Sequence, residues 1–200
     1  MKTKYKIRRY RYLLALIVVA TSVMFPQLKA QSASGLYMFG QDLHEGRLSY
    51  DTRGKAGCSI KLRHLAYSLP IKVTCGNWVR YLHKDSVYGY RDHKGIDHRF
   101  FNHNDYSFLS SDPAIALYIV LETGKTKYEE ASYSYYFSRG LNSPVLPLTL
   151  HNLVETYSDN KNFIELLESQ FKNKTSLPEF DEAHKVYKLS HLLKLSKDQP

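Results

Sequence analysis

The chain is poor in sulfur, with two cysteines and three methionines in 200 residues. A cysteine framework is thereby excluded, and at most one disulfide can form within the chain. Neither cysteine lies in a motif that ties a thiol to a histidine or an acid, so a cysteine nucleophile has no support. There is no G-x-S-x-G, H-E-x-x-H, phosphate loop or dinucleotide fingerprint. The enzymes that announce themselves through those motifs drop out. No cofactor is implied. Internal repeats and low-complexity segments are missing too. No apolar run approaches the roughly 20 residues needed to cross a bilayer.

Acid is missing from one stretch altogether. Residues 1–30 contain seven Lys and Arg and no Asp or Glu. The whole chain carries +9, but removing those seven leaves 21 basic against 19 acidic residues, a net of +2. The basic total therefore belongs to the leader. A near-neutral remainder has little long-range pull on a phosphate backbone, which argues against a nucleic-acid partner. The leader has three parts: a cationic start from Lys2 to Arg11, an apolar run Leu13–Phe25, and Pro26 followed by Leu28-Lys29-Ala30. This is the pattern of a cleavable secretory signal, with Gln31 as the expected mature start. The working protein is then expected outside the cytoplasm: periplasm, cell surface or secreted.

What is abundant is tyrosine, at 17 residues. Between Leu36 and Phe137, aromatic and β-branched residues alternate with turn signals such as Asp92-His93-Lys94-Gly95, Asn102-His103-Asn104-Asp105 and Gly124-Lys125. Strands are predicted near 46–51, 57–64, 70–75, 77–83, 86–91, 96–101, 105–109, 115–122 and 130–138. After Pro144 the period changes. A connector Leu146-Pro147-Leu148-Thr149 ends in a capping Thr, and a short helix follows from Leu150 to Tyr157. Ser158 and Asp159 are expected to cap a second helix with the stripe Phe163, Leu166, Leu167 and Phe171. Pro178 is expected to open a third, with Ala183, Val186, Leu189 and Leu193. The fold class is α+β: an antiparallel meander, curved or partly closed as a barrel, over 31–143, with two or three helices from 144–200 packed on it.

One hairpin can be registered by arithmetic. If 57–64 pairs with 70–75 so that facing residues sum to 133, Cys58 meets Cys75, Ile60 meets Val73 and Leu62 meets Ile71, all on one face. The two cysteines are then placed for a cross-strand disulfide, which an oxidising compartment permits. Closing 17 residues of separation is worth about 3 kcal/mol in the chain-entropy picture. The other face pairs Lys61 with Lys72, a like-charge contact that opposes this register.

Candidate chemistry is sparse. His93, His98 and His103 recur every five residues, which alternates faces on a continuous strand and makes no metal set. His184 and His191, seven apart on the expected third helix, would sit about 10 Å apart along its axis. Asp92, Asp97, Asp105 and Asp112 all fall in or beside turns, where Asp belongs for backbone reasons. In the run Tyr128–Phe137, strand alternation places Tyr133, Tyr135 and Phe137 on a core side and Tyr136 with three serines on a wetter one. Tyrosines on a wet sheet can stack against sugars or peptide side chains. Tyr88, Tyr90, Tyr106 and Tyr136 are the candidate ligand-binding residues.

The stretch Lys84-Asp85-Ser86-Val87-Tyr88-Gly89-Tyr90-Arg91, followed by Gly95, Arg99-Phe100-Phe101-Asn102, Tyr106 and Leu146-Pro147-Leu148-Thr149-Leu150, resembles a group of small exported Bacteroidota-type proteins of unknown function. The resemblance spans roughly residues 45–195. It implies an envelope or secreted location, and O-glycosylation at Ser86 within Asp85-Ser86-Val87. The reading that follows is a non-catalytic envelope or secreted binding protein, with a glycan, peptide or envelope protein as partner. Its alternatives are a small extracellular hydrolase using turn carboxylates with His93 or His98, and a structural partner in an envelope complex.

Overall fold

The computed structural model describes residues 33–53, 57–63, 67–122, 131–171 and 176–198. The expected signal over 1–30, the turn at Gly124-Lys125, Tyr128, and most of the loop from Asn173 lie outside the described residues.

Seven strands form one antiparallel sheet in the order β1 (Gly35–Tyr37), β5 (Gly89–Arg91), β6 (Asp97–Phe101), β7 (Asn104–Ser111), β8 (Ala116–Glu122), β9 (Ser132–Ser138) and β10 (Leu146–Pro147). It curls into a half-barrel, and the fold is α+β. One source of bending is visible at β7. Phe108 pairs with Tyr118 but Ser110 pairs with Leu117, so Leu109 is an extra residue on that strand. Such a bulge bends its strand and increases the local twist. A second, three-stranded sheet contains β2 (Cys58–Lys61), β3 (Ile71–Cys75) and β4 (Trp78–Leu82).

The register expected for β2 and β3 is the one observed: Cys58 faces Cys75 and Ile60 faces Val73. Cys58 and Cys75 form a disulfide. Lys61 does face Lys72. The apolar side outweighs that repulsion, because Ile71 and Val73 are fully buried while the lysine pair stays on the open side.

Three apolar clusters hold the fold. Ile71, Val73, Leu82 and the disulfide pack against Leu36, Tyr90 and Phe100 on one end of the large sheet. Further along, Ile115, Leu117 and Phe137 pack against the helices α2 (Leu150–Thr156), α3 (Lys161–Phe171) and α4 (Lys188–Asp198). The opposite face carries Tyr37, Tyr106, Ala116 and Tyr118, with Tyr136 and Phe108 half-buried beside them. Helix α1 (Gly40–His44) adds Leu43 to that cluster.

Several expectations need correcting. Residues 46–51 make only a bridge, Ser49 to Leu36, because Tyr50 turns the chain at φ 57°. The start of the expected strand 86–91 is a 3-10 turn, Lys84–Ser86. Thr149 caps α2, accepting from the Asn152 amide at 3.1 Å. The cap of α3 is Asn160, whose Oδ1 accepts from Phe163 N. Asp159 instead forms a two-bond pair with Arg139. No helix starts at Pro178. A hairpin of β11 (Phe180–Asp181) and β12 (Val186–Tyr187) precedes α4. Asp181 Oδ1 accepts the amides of Ala183 and His184, an Asx-type turn that competes with helix. Of the expected stripe, Leu189 and Leu193 are buried and Ala183 and Val186 are not.

Candidate functional site

Strand pairing decides where the aromatic and polar side chains go. Tyr90 faces His98 and His98 faces Ser107, so these three share one face of the sheet. Gly89, Arg99 and Tyr106 form the next row and project to the opposite face. The four candidate tyrosines are thereby divided. Tyr106 and Tyr136 pack edge-to-face at 5.1 Å within the tyrosine cluster. Tyr88 donates from Oη to the Leu141 carbonyl at 2.7 Å. Tyr90 lies on the other face, its ring parallel to His98 at 4.4 Å.

Around His98 the structure gathers several groups that the linear spacing kept apart. The turn Asp92–Gly95 is tied by Asp92 Oδ1, which accepts from the amides of Lys94 and Ile96, both at 2.8 Å. Gly95 closes it at φ 83°, a conformation that favours glycine. With Oδ1 so occupied, Oδ2 is presented to His98 Nε2 at 3.6 Å. On the other side, Nδ1 lies 3.1 Å from Ser107 Oγ and 3.4 Å from Asp105 Oδ1. Asp105 Oδ2 accepts from Tyr90 Oη at 2.8 Å. The imidazole is thus held between two carboxylates and under one phenol ring, with its side chain 14% exposed. Nε2 is buried and has no hydrogen-bond partner among the described residues.

The electrostatics follow. Burial alone would raise Asp92, but the two amides and His98 outweigh it and hold its carboxyl below the usual range. Burial, reinforced by Asp105, pushes the Tyr90 phenol up. Beside it Arg91 pairs through Nε and Nη2 with Asp97 at 2.7 and 2.8 Å, and Tyr37 Oη donates to the same carboxylate.

These groups open onto a cleft of about 380 Å3. Tyr90, Arg91, Asp92, His93 and His98 line one side, and Ser34, Thr52, Ile60 and Leu62 the other. The Ser34 and Thr52 hydroxyls lie 2.6 Å apart. Sequence reasoning had named His93, His98 and Tyr90, but not the Ser34–Thr52 pair. Those two are 18 residues apart and meet through the chain entering β1, for which nothing local in the sequence is a signal.

The remaining candidates lie elsewhere. His103 packs against Tyr67, away from the His98 cleft. His184 and His191 are not separated by two helical turns: their rings stack at 4.2 Å. His184 sits in the β11–β12 turn, which folds back over the first turn of α4, and its Nδ1 lies 2.8 Å from Asp181 Oδ2. Among the described residues no group of three or more His, Cys, Asp or Glu could hold a metal ion. Asp112 Oδ1 accepts from the Ala114 amide and serves a turn. Ser86 is exposed, and its Oγ donates to the His83 carbonyl at 2.7 Å. On β9, exposure changes along the strand rather than across it. Tyr133 is exposed, whereas Phe137 and Ser138 are both fully buried on opposite faces.

No protein-family model, curated protein or solved structure matches the chain.

Proposed function

We propose that this is an exported, non-catalytic binding protein that holds a polar, hydroxyl-rich ligand, a glycan or a peptide, in the His98 cleft. The supporting observation is the convergence of an aromatic ring, a carboxylate, two imidazoles and two hydroxyls on one cavity of about 380 Å3. Few, fixed polar groups around an aromatic wall are what orient a small polar ligand. A disulfide is compatible with an oxidising compartment. Among the described residues no helix is long and apolar enough to cross a membrane.

Binding is favoured over catalysis by the way the groups are used. Both His98 nitrogens face carboxylates, and Asp92 Oδ1 is spent on its own turn. A general base needs a lone pair within reach of the substrate proton, and His98 Nε2, though without a hydrogen-bond partner among the described residues, is buried. The hydrolase alternative draws on the same Asp92–His98 approach, with a water as nucleophile. A glycan array and a pull-down from envelope extracts, run with the protein and with His98→Ala, test the proposal. Specific retention that His98→Ala weakens about tenfold or more supports it. Retention of nothing on either platform sinks it. Turnover of a glycoside or peptide that Asp92→Asn abolishes would establish the hydrolase instead.

A further inference from the structure

On the opposite face of the sheet from His98 lies a cation that no described residue neutralises. Arg99 is 4% exposed. Nη1 donates to Tyr118 Oη at 2.9 Å and to Ser138 Oγ at 3.3 Å, and Nη2 donates to the Ser143 carbonyl at 2.9 Å. Nε is buried without a hydrogen-bond partner among the described residues. Among the described residues no carboxylate forms an ion pair with it. Three rings surround the guanidinium, with Cζ 5.2 Å from Tyr88, 5.2 Å from Phe101 and 6.0 Å from Tyr118. Ring faces attract a cation but do not cancel its charge.

An arginine cannot shed its proton to escape this cost. A buried charge is normally paired, and an unpaired one is expensive. The Arg99 Nε–H is unused among the described residues, and Nε and Nη2 share the edge of the guanidinium whose geometry matches a planar carboxylate. Arg99 lines a cleft of about 470 Å3 together with Phe39, Gln41, Tyr88, Phe100 and Asn142. Phe39 is 71% exposed at its rim, and Asn142 is exposed. Asp85, on the same cleft, is exposed and already accepts from Tyr67 Oη.

We infer that this second cleft binds a small organic carboxylate with an apolar body. The two carboxylate oxygens accept from Nε and Nη2 of Arg99, the Asn142 side chain swings aside to admit them, and the body packs against Phe39 and Tyr88. The anion supplies the counter-charge that the described residues do not. This site is independent of the His98 cleft, which lies on the other face.

Phenylacetate and its neutral isostere phenylacetamide are the probes, titrated into the purified protein and followed by amide chemical shifts. Phenylacetate is expected to shift Gly40, Tyr88, Arg99 and Asn142 saturably, and phenylacetamide to bind about tenfold more weakly or worse. Arg99→Met should abolish phenylacetate binding, with a thermal melt to show that the variant folds, since the change also leaves the Tyr118, Ser138 and Ser143 groups without their donor. Asn142→Trp, at an exposed position, should block the mouth with Arg99 untouched. His98→Ala should leave phenylacetate binding unchanged, which separates this result from the fate of the His98 cleft. Equal binding of acid and amide, or undiminished affinity in Asn142→Trp, overturns the inference. Binding of inorganic phosphate in place of phenylacetate overturns the ligand class.

Discussion

Two residues next to the His98 cleft make its stability measurable. Gly89 has ordinary φ but no room: a Cβ there would lie 2.0 Å from the His98 carbonyl oxygen and 3.1 Å from Arg99 Cα. Both are backbone atoms and cannot swing away. Gly89→Ala is expected to cost about 1–3 kcal/mol, and a thermal melt reads it directly. Asp92 offers a pH test. Its folded pKa is depressed, so its contribution is complete above the unfolded value of about 3.9 and is lost as pH falls through the lower folded value. Asp92→Asn should therefore be less stable than the parent near neutrality, and the gap should close in acid. Melting temperatures across pH 2–7 measure this; a gap that widens in acid contradicts the assignment.

The elements carry the next scale of argument. Strands β2 and β3 belong to a small sheet whose partner strand β4 is exposed at four of its five residues. With β4 so exposed, the small sheet is held by Ile71 and Val73 of β3 and by the bridge. Reducing the Cys58–Cys75 bridge should lower stability by about 3 kcal/mol, seen as a shift in denaturant midpoint with and without reductant. Thiol titration of the native protein should return no free cysteine. In the helical region, Phe163 is fully buried in the cluster shared with Leu117 and Phe137. Phe163→Ala should cost about 3–5 kcal/mol. Asn160→Ala removes the cap on α3 and should cost about 1 kcal/mol.

Across the whole molecule, the large sheet is clamped on one face by the three-stranded sheet and by the helices, each at its own end. One cooperative transition is the expected result. Trp78 is the chain's single tryptophan and sits on β4. Its fluorescence reports the small sheet, while far-ultraviolet dichroism weighs the helices. The two melts should coincide, and separate midpoints would show that the clamp does not couple the ends. By itself, the sequence determined the α+β order, the β2–β3 register with its disulfide, the Thr149 cap and the α3 stripe. Each of these rests on period, capping or strand arithmetic between neighbours in the chain. Tertiary structure alone decided the rest. The Asx turn at Asp181 overrode the Pro178 helix signal and stacked His184 on His191. The two hydroxyls met at the His98 cleft from positions 18 residues apart. Arg99 became a buried cation with no ion-pair partner among the described residues only because cross-strand pairing aimed it into the tyrosine face. Local spacing encodes which way a side chain points along its own strand, but what it meets there depends on strands that arrive from elsewhere in the chain.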